Sequence, residues 1–135
     1  MPDSEKLTVN LTPMDVGRIE FLVEQGFYAN RAEFIRTAIH HQLEKHTDSI
    51  REAAVRQGLV IGAMVFGRAD LERHRKAGTR LAIKVIGYVL IADDVSPSLA
   101  IQVIESLSVR GVFKASPAVK AALAKRAGAD EVARV

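Results

Sequence analysis

Polar and apolar residues alternate along the first segment of the chain, from Lys6 to Thr12. Alternation with a period of two predicts a β-strand, because successive side chains of a strand point to opposite faces. One face would carry Leu7, Val9 and Leu11, and the other would carry Lys6, Thr8 and Asn10. No second strand pattern lies nearby in the sequence. We therefore expect this strand to pair with its copy in a second chain.

Two helices are predicted after the strand, each with a defined start. Thr12 and Pro13 begin the first helix, because Thr is a good N-cap and Pro needs no hydrogen bond in the first turn. Gly26 is expected to end this helix, since glycine favours the left-handed conformation found just past a helix end. Asn30 and Glu33 begin the second helix with the spacing of a capping box.

A third helix is predicted directly after the second. Ser49 and Glu52 repeat the capping-box spacing, so we expect a helix that restarts there and runs to Gln57. Gly58 is expected to end it.

The second half of the chain repeats a short pattern around three glycines. Gly62, Gly87 and Gly111 each lie in a run rich in β-branched residues, with spacings that predict a strand-plus-helix repeat of 24–25 residues. A helix-like stretch follows each run, at positions 69–76, 98–104 and 118–126. Pro97 and Pro117 stand near the starts of the last two, where proline is tolerated. Strands joined by helical crossovers predict a parallel sheet.

The segment from Gly26 to Arg36 reads Gly-Phe-Tyr-Ala-Asn-Arg-Ala-Glu-Phe-Ile-Arg. Together with the preceding strand and the element order, it resembles the ribbon-helix-helix family of CopG-, Arc- and MetJ-like DNA-binding proteins. Within that class the string is most similar to nickel-responsive regulators and ParD-type antitoxins. These residues confine the expected resemblance to the N-terminal third of the chain.

The resemblance implies a set of DNA contacts and a dimer interface. In this family two strands pair across a two-fold axis and lie in the major groove, which assigns the base contacts to Lys6, Thr8 and Asn10. Phosphate contacts fall on the start of the second helix, at Ala29, Asn30 and Arg31. The implied dimer core consists of Leu7, Val9, Leu11, Phe34 and Ile35.

The three base-reading side chains suit that task chemically. Lys donates to guanine O6 and N7, Asn pairs with adenine N6 and N7, and Thr can donate, accept or pack its methyl group on thymine. Alternatively, such residues form a strand face that contacts only solvent.

At the start of the second helix, free backbone amides and the positive end of the helix dipole favour binding of a phosphate.

Charge is distributed unevenly along the 135 residues. Residues 1–52 contain six basic and nine acidic side chains, a net charge of −3, whereas residues 53–135 contain 13 and seven, a net charge of +6. The predicted DNA-reading segment is therefore acidic as a whole. Binding would depend on a few placed groups, and we expect a modest salt dependence.

Several other classes of function find little support. The chain has no cysteine, and its four histidines lack the i, i+4 spacing of a helical metal site, so we expect no metal and no cofactor. Asp93 and Asp94 precede a Ser-Pro turn, where ordinary loop chemistry explains them. No nucleophile–base pair or phosphate-binding loop occurs, and we do not expect an enzyme. No signal peptide or membrane span is expected, which favours a cytoplasmic, nucleoid-associated protein.

The sequence thus predicts an α+β chain with a dimeric ribbon-helix-helix domain at 1–46, a helical linker at 47–58 and a small α/β domain of three strand–helix repeats at 59–135. We expect a sequence-specific transcriptional regulator, a repressor, whose partners are double-stranded DNA and a second copy of the chain. The C-terminal domain would either bind a ligand or build higher oligomers. The alternative is an antitoxin that binds a protein toxin and regulates its own operon.

Overall fold

The computed structural model describes residues 4–124. It contains helices α1 (Pro13–Glu24), α2 (Arg31–Lys45), α3 (Thr47–Gln57), α4 (Arg68–Ala77), α5 (Pro97–Val103) and α6 (Pro117–Leu123), and strands β1 (Val60–Phe66), β2 (Leu81–Ile91) and β3 (Ile104–Lys114). Packing divides the chain into two compact units, with the boundary between Ala53 and Ala54. This boundary falls inside the predicted 47–58 linker.

The predicted starts of α1 and α2 in the N-terminal unit are confirmed. The Thr12 hydroxyl accepts a hydrogen bond from the Asp15 N–H at 3.2 Å, and the Asn30 side chain accepts one from the Glu33 N–H at 2.8 Å. Gly26 follows the end of α1 with a φ of 84°, the left-handed conformation expected of a glycine there. The local sequence therefore determines where both helices begin and where α1 ends.

The predicted start of α3 is wrong by three residues, because a cap at Ser49 would make Ile50 the first helical residue. The helix begins at Thr47, so Ser49 lies inside its first turn and is not the cap. The Ile50 N–H donates to the His46 carbonyl at 2.9 Å, which means that helical bonding is already under way before Ser49. The predicted end is correct, because α3 stops at Gln57 and Gly58 follows with a φ of 68°.

The C-terminal unit is a three-stranded parallel sheet in the order β1-β2-β3, with a helix after each strand. The predicted strand–helix alternation is therefore confirmed over the described residues, and Pro97 and Pro117, expected near the starts of their helices, are the first residues of them. The predicted helical positions 125 and 126 lie outside the described residues. A continuous buried core joins the strands and the helices. Its fully buried large side chains include Leu71, Val85, Val89, Ile104, Phe113 and Leu123.

The three glycines of the sequence repeat lie side by side in this sheet. Gly62 of β1 pairs with Gly87 of β2, which in turn pairs with Gly111 of β3. Their φ values of 148°, 138° and 135° are ones that other residues rarely adopt. A Cβ atom at Gly87 would lie 2.1 Å from the carbonyl oxygen of Gly62, and one at Gly111 would lie 2.0 Å from that of Gly87. The glycines therefore permit the strands to approach at this level.

Candidate nucleic-acid interface

The three predicted base-reading side chains lie on the segment that leads into α1. Lys6, Thr8 and Asn10 are all exposed, and the Thr12 cap anchors the end of this segment to the helix. Among residues 4–124, positions 6–12 form no strand and pair with none. Paired strands therefore stay a prediction for this region.

The apolar side chains of the same segment are also uncovered. Leu7, Val9 and Leu11 are 84%, 73% and 46% exposed, and Ile19 is the one buried hydrophobic residue among positions 4–53. Leu11 lines an open groove with Val16 and Ile19 of α1 and with Ala32 and Ile35 of α2. This groove presents apolar surface that a single chain leaves in water.

The two predicted dimer-core residues of α2 have different surroundings. Phe34 is half-buried and packs edge-on against Tyr28, with 5.0 Å between the ring centroids. Ile35 is 42% exposed and faces the groove. Within one chain, Phe34 therefore already has a packing partner, whereas Ile35 is available to another subunit.

At the start of α2, one of the amides predicted to bind phosphate already has a hydrogen-bond partner. The carboxylate of Glu33 accepts a hydrogen bond from the Ala29 N–H at 2.6 Å, while Asn30 caps the Glu33 amide. The Ala29 amide, one of the predicted phosphate donors, is thus bound to a carboxylate of its own chain. The amides of Arg31 and Ala32 stand in the first turn, where the helix supplies no acceptor.

The Arg31 guanidinium forms an ion pair with Glu20 of α1, at 3.4 Å between Nη1 and Oε1. The two side chains are 64% and 53% exposed, so water screens the pair and it contributes little to stability. Arg31 can therefore leave Glu20 at small cost. The Glu20 contact does not follow from the sequence because it joins two helices, and the Glu33 carboxylate accepts from the Ala29 amide, one residue before the Asn30 amide that a capping box would use.

Carboxylates of the C-terminal unit are used to hold helix α4. Asp94, singled out in the sequence with Asp93, accepts from the Arg68 N–H at 3.1 Å, which caps α4 from the next loop along the sheet. Hydrogen bonding from the Gly67 N–H, followed by that from Arg73, lowers the pKa of Asp70. Hydrogen bonding from Arg75 lowers the pKa of Glu72.

Within residues 4–124, no three histidine or carboxylate side chains come together as a metal site. The helices in this part of the chain are also too short or too polar to cross a membrane.

Comparison with known proteins identifies the family. The profile of the Ribbon-Helix-Helix transcriptional regulator family matches residues 2–120. The chain belongs to this family. The match extends well past α3 and covers all three strands of the sheet, so the expectation of a resemblance confined to the N-terminal third is wrong. The resemblance to the family was recognised from the short motif between Gly26 and Arg36. The strands of the sheet contain no motif that indicated the same family.

A curated relative agrees with this assignment. The chain is 34% identical over 44 residues to the transcriptional regulator CdrS of Halobacterium salinarum, a match that covers 33% of this chain and 80% of that protein. No solved structure matches the chain. The family and this relative support a DNA-binding transcriptional regulator.

Proposed function

We propose that this ribbon-helix-helix regulator is a homodimeric repressor whose paired N-terminal strands read an operator in the major groove. The observation that carries the proposal is the two-sided segment before α1. Its polar side chains Lys6, Thr8 and Asn10 are exposed, and its apolar side chains are exposed as well. Pairing two such segments would cover the apolar face and present six polar side chains on the other face.

The exposed apolar side chains support the dimer. Burial of one Leu or Val side chain contributes about 1.5–3 kcal/mol, and each subunit offers Leu7, Val9 and Leu11. The groove between α1 and α2 lies beside Leu11 and is lined in part by Ile35, so it extends the same apolar surface. A strand between two chains would also satisfy backbone groups that a lone edge leaves open.

The polar face supports sequence reading. Lys, Thr and Asn can each bond base edges, and a good bidentate contact discriminates against the wrong base by about 1–3 kcal/mol. Symmetry doubles the contacts, because each subunit would supply the same three side chains to one half of the operator. The expected site is therefore a pair of inverted half-sites.

The start of α2 would hold the DNA backbone on either side. The amides of Arg31 and Ala32 can donate to a phosphate, and Arg31 can turn from Glu20 towards it. The Ala29 amide becomes available only when a phosphate displaces the Glu33 carboxylate. Few phosphates are neutralised in this arrangement, and each contributes about −0.9 to the slope of log affinity against log salt concentration.

The base-reading claim is tested with a double substitution, Thr8→Ala with Asn10→Ala, in the full-length protein. We expect a folded dimer that binds selected and scrambled DNA with similar affinity, measured by fluorescence anisotropy. Thr37→Ala with Gln42→Ala is a matched control, because both residues are exposed on α2, away from the proposed strand. Unchanged preference for the selected sequence in the first variant would refute the assignment of these side chains.

The dimer claim is tested by placing a charge on each face of the proposed strand. Val9→Asp buries a carboxylate at the proposed interface and should abolish the dimer, as measured by sedimentation. Thr8→Asp adds the same charge one residue away, on the opposite face, and should leave the dimer intact while abolishing DNA binding. Equal effects of the two variants on association would contradict the proposed pairing of strands.

We expect occupancy of the operator to block transcription, and a reporter gene controlled by a selected operator tests this repressor role. Expression should fall when the protein is produced and recover with the Thr8→Ala, Asn10→Ala variant. The antitoxin alternative is not favoured, because the C-terminal unit already packs its own buried core and needs no toxin to order it.

A further inference from the structure

Gly62, Gly87 and Gly111 form a column across the sheet, called the glycine column, and the Cβ positions of its second and third members point the same way. The Cβ position of Gly111 points at the Gly87 carbonyl oxygen, and that of Gly87 points at the Gly62 carbonyl oxygen. Each glycine thus faces the backbone of the preceding strand. At both positions a side chain is excluded because a backbone carbonyl occupies the space.

Gly62 has a similar backbone conformation, but no carbonyl of the described residues excludes a side chain from this position. Its φ of 148° resembles those of Gly87 and Gly111, yet nothing among the described residues lies within 4 Å of its Cβ position. By the direction of the column, that position points away from β2, to the free edge of β1. Gly62 therefore has the geometry of a glycine that receives a neighbouring carbonyl, at an edge where residues 4–124 provide none.

The free edge of β1 is unusually suited to pairing. Its sequence, Val-Ile-Gly-Ala-Met-Val-Phe, contains no charged residue, and Val60, Ile61 and Val65 are 53%, 53% and 60% exposed. Edge strands that stay unpaired are commonly protected by charges, prolines or bulges. β3, at the opposite edge of the sheet, carries Glu105, Arg110 and Lys114, so the two edges differ in charge.

We propose that β1 pairs in parallel with β3 of a second copy of the chain, with Gly111 of that copy beside Gly62. This arrangement continues the register already present between β1, β2 and β3, and the Gly111 carbonyl would fill the space at Gly62. Gly111 and Arg110 are exposed, as the proposal requires. Contact between two different edges is heterologous, so copies add head to tail into a ring or an open array.

This inference concerns the C-terminal unit and does not depend on the DNA contacts proposed above. An antiparallel pairing of two β1 edges would also cover apolar surface, but it gives no role to the shared conformation of the three glycines. The head-to-tail arrangement uses that conformation at every step of the sheet, which is why we prefer it.

Disulfide cross-linking tests the register directly, because the natural chain has no cysteine. The observed pairing of Ile61 with Ile86 and of Ile86 with Arg110 places Arg110 of a second copy opposite Ile61. Neighbouring strands lie about 4.8 Å apart, within the range of Cα separations that a disulfide spans. We expect an equimolar mixture of full-length Ile61→Cys and Arg110→Cys proteins to form covalent dimers under mild oxidation.

Two controls distinguish this result from its alternatives. Replacing the second protein with Glu105→Cys, an exposed position on β3 that is out of register with Ile61, should reduce the covalent dimer at least fivefold. The Ile61→Cys protein alone should remain unlinked. Cross-linking of Ile61→Cys to itself would overturn the proposal in favour of antiparallel β1 edges. Equal yields with Arg110→Cys and Glu105→Cys, or no dimer in any mixture, would also overturn it.

Discussion

A substitution at Gly87 tests whether the close approach of strands β1 and β2 requires glycine. A Gly87→Ala substitution places a Cβ atom 2.1 Å from the Gly62 carbonyl oxygen, a backbone atom that cannot rotate away. It also forces alanine to adopt a φ of 138°. We expect about 1–3 kcal/mol for the strained backbone and about 1–3 kcal/mol for the steric overlap, a substantial part of the stability of a small protein.

Gly62→Ala is the matched control, because it imposes a similar φ but places its Cβ in open space. Both variants are compared at low protein concentration, where copies do not associate, by urea unfolding and by amide hydrogen exchange of β2. The overlap term predicts that Gly87→Ala is less stable than Gly62→Ala by about 1–3 kcal/mol, or roughly 5- to 150-fold in exchange of the most protected amides. Equal destabilisation by the two substitutions would refute the steric reasoning.

Two further predictions concern charged side chains. The pKa values of Asp70 and Glu72 are lowered in the folded protein, so the stability they contribute is present at neutral pH and is lost as the pH falls through these lowered values. In a combined Asp70→Asn, Glu72→Gln variant, the thermal midpoint should therefore fall less than in the wild type between about pH 7 and about pH 3. An equal fall in the two proteins would contradict this prediction. Glu20→Gln should release Arg31 and raise DNA affinity less than tenfold in a titration. Glu44→Gln, a control that makes the same charge change at the far end of α2 from Arg31, should alter affinity less.

The sequence predicts those parts of the fold that depend on local chemistry. Thr12, Asn30 and Gly26 act through their immediate neighbours, and the structure places them at the helix ends as predicted. The spacing of the three glycines, 25 and 24 residues, predicted a repeat, and the sheet pairs them in register. The start of α3 was missed because a capping pattern also occurs inside a helix that has already begun.

Contacts between separate elements could not be predicted in this way. Glu20 reaches Arg31 across the two helices, and Asp94 caps α4 from a loop 26 residues further along the chain. Neither partnership has a fixed sequence spacing. The open Cβ position at Gly62 is a property of the sheet edge, and it becomes visible only when the register of all three strands is known.

Selection of bound sequences from random DNA tests the central claim most directly. If paired strands carrying Lys6, Thr8 and Asn10 read the major groove, the wild-type protein should enrich inverted half-sites related by a two-fold axis. The Thr8→Ala, Asn10→Ala protein, selected in parallel, should lose that enrichment. Recovery of the same inverted site by both proteins, or of no shared sequence by the wild type, would contradict the account.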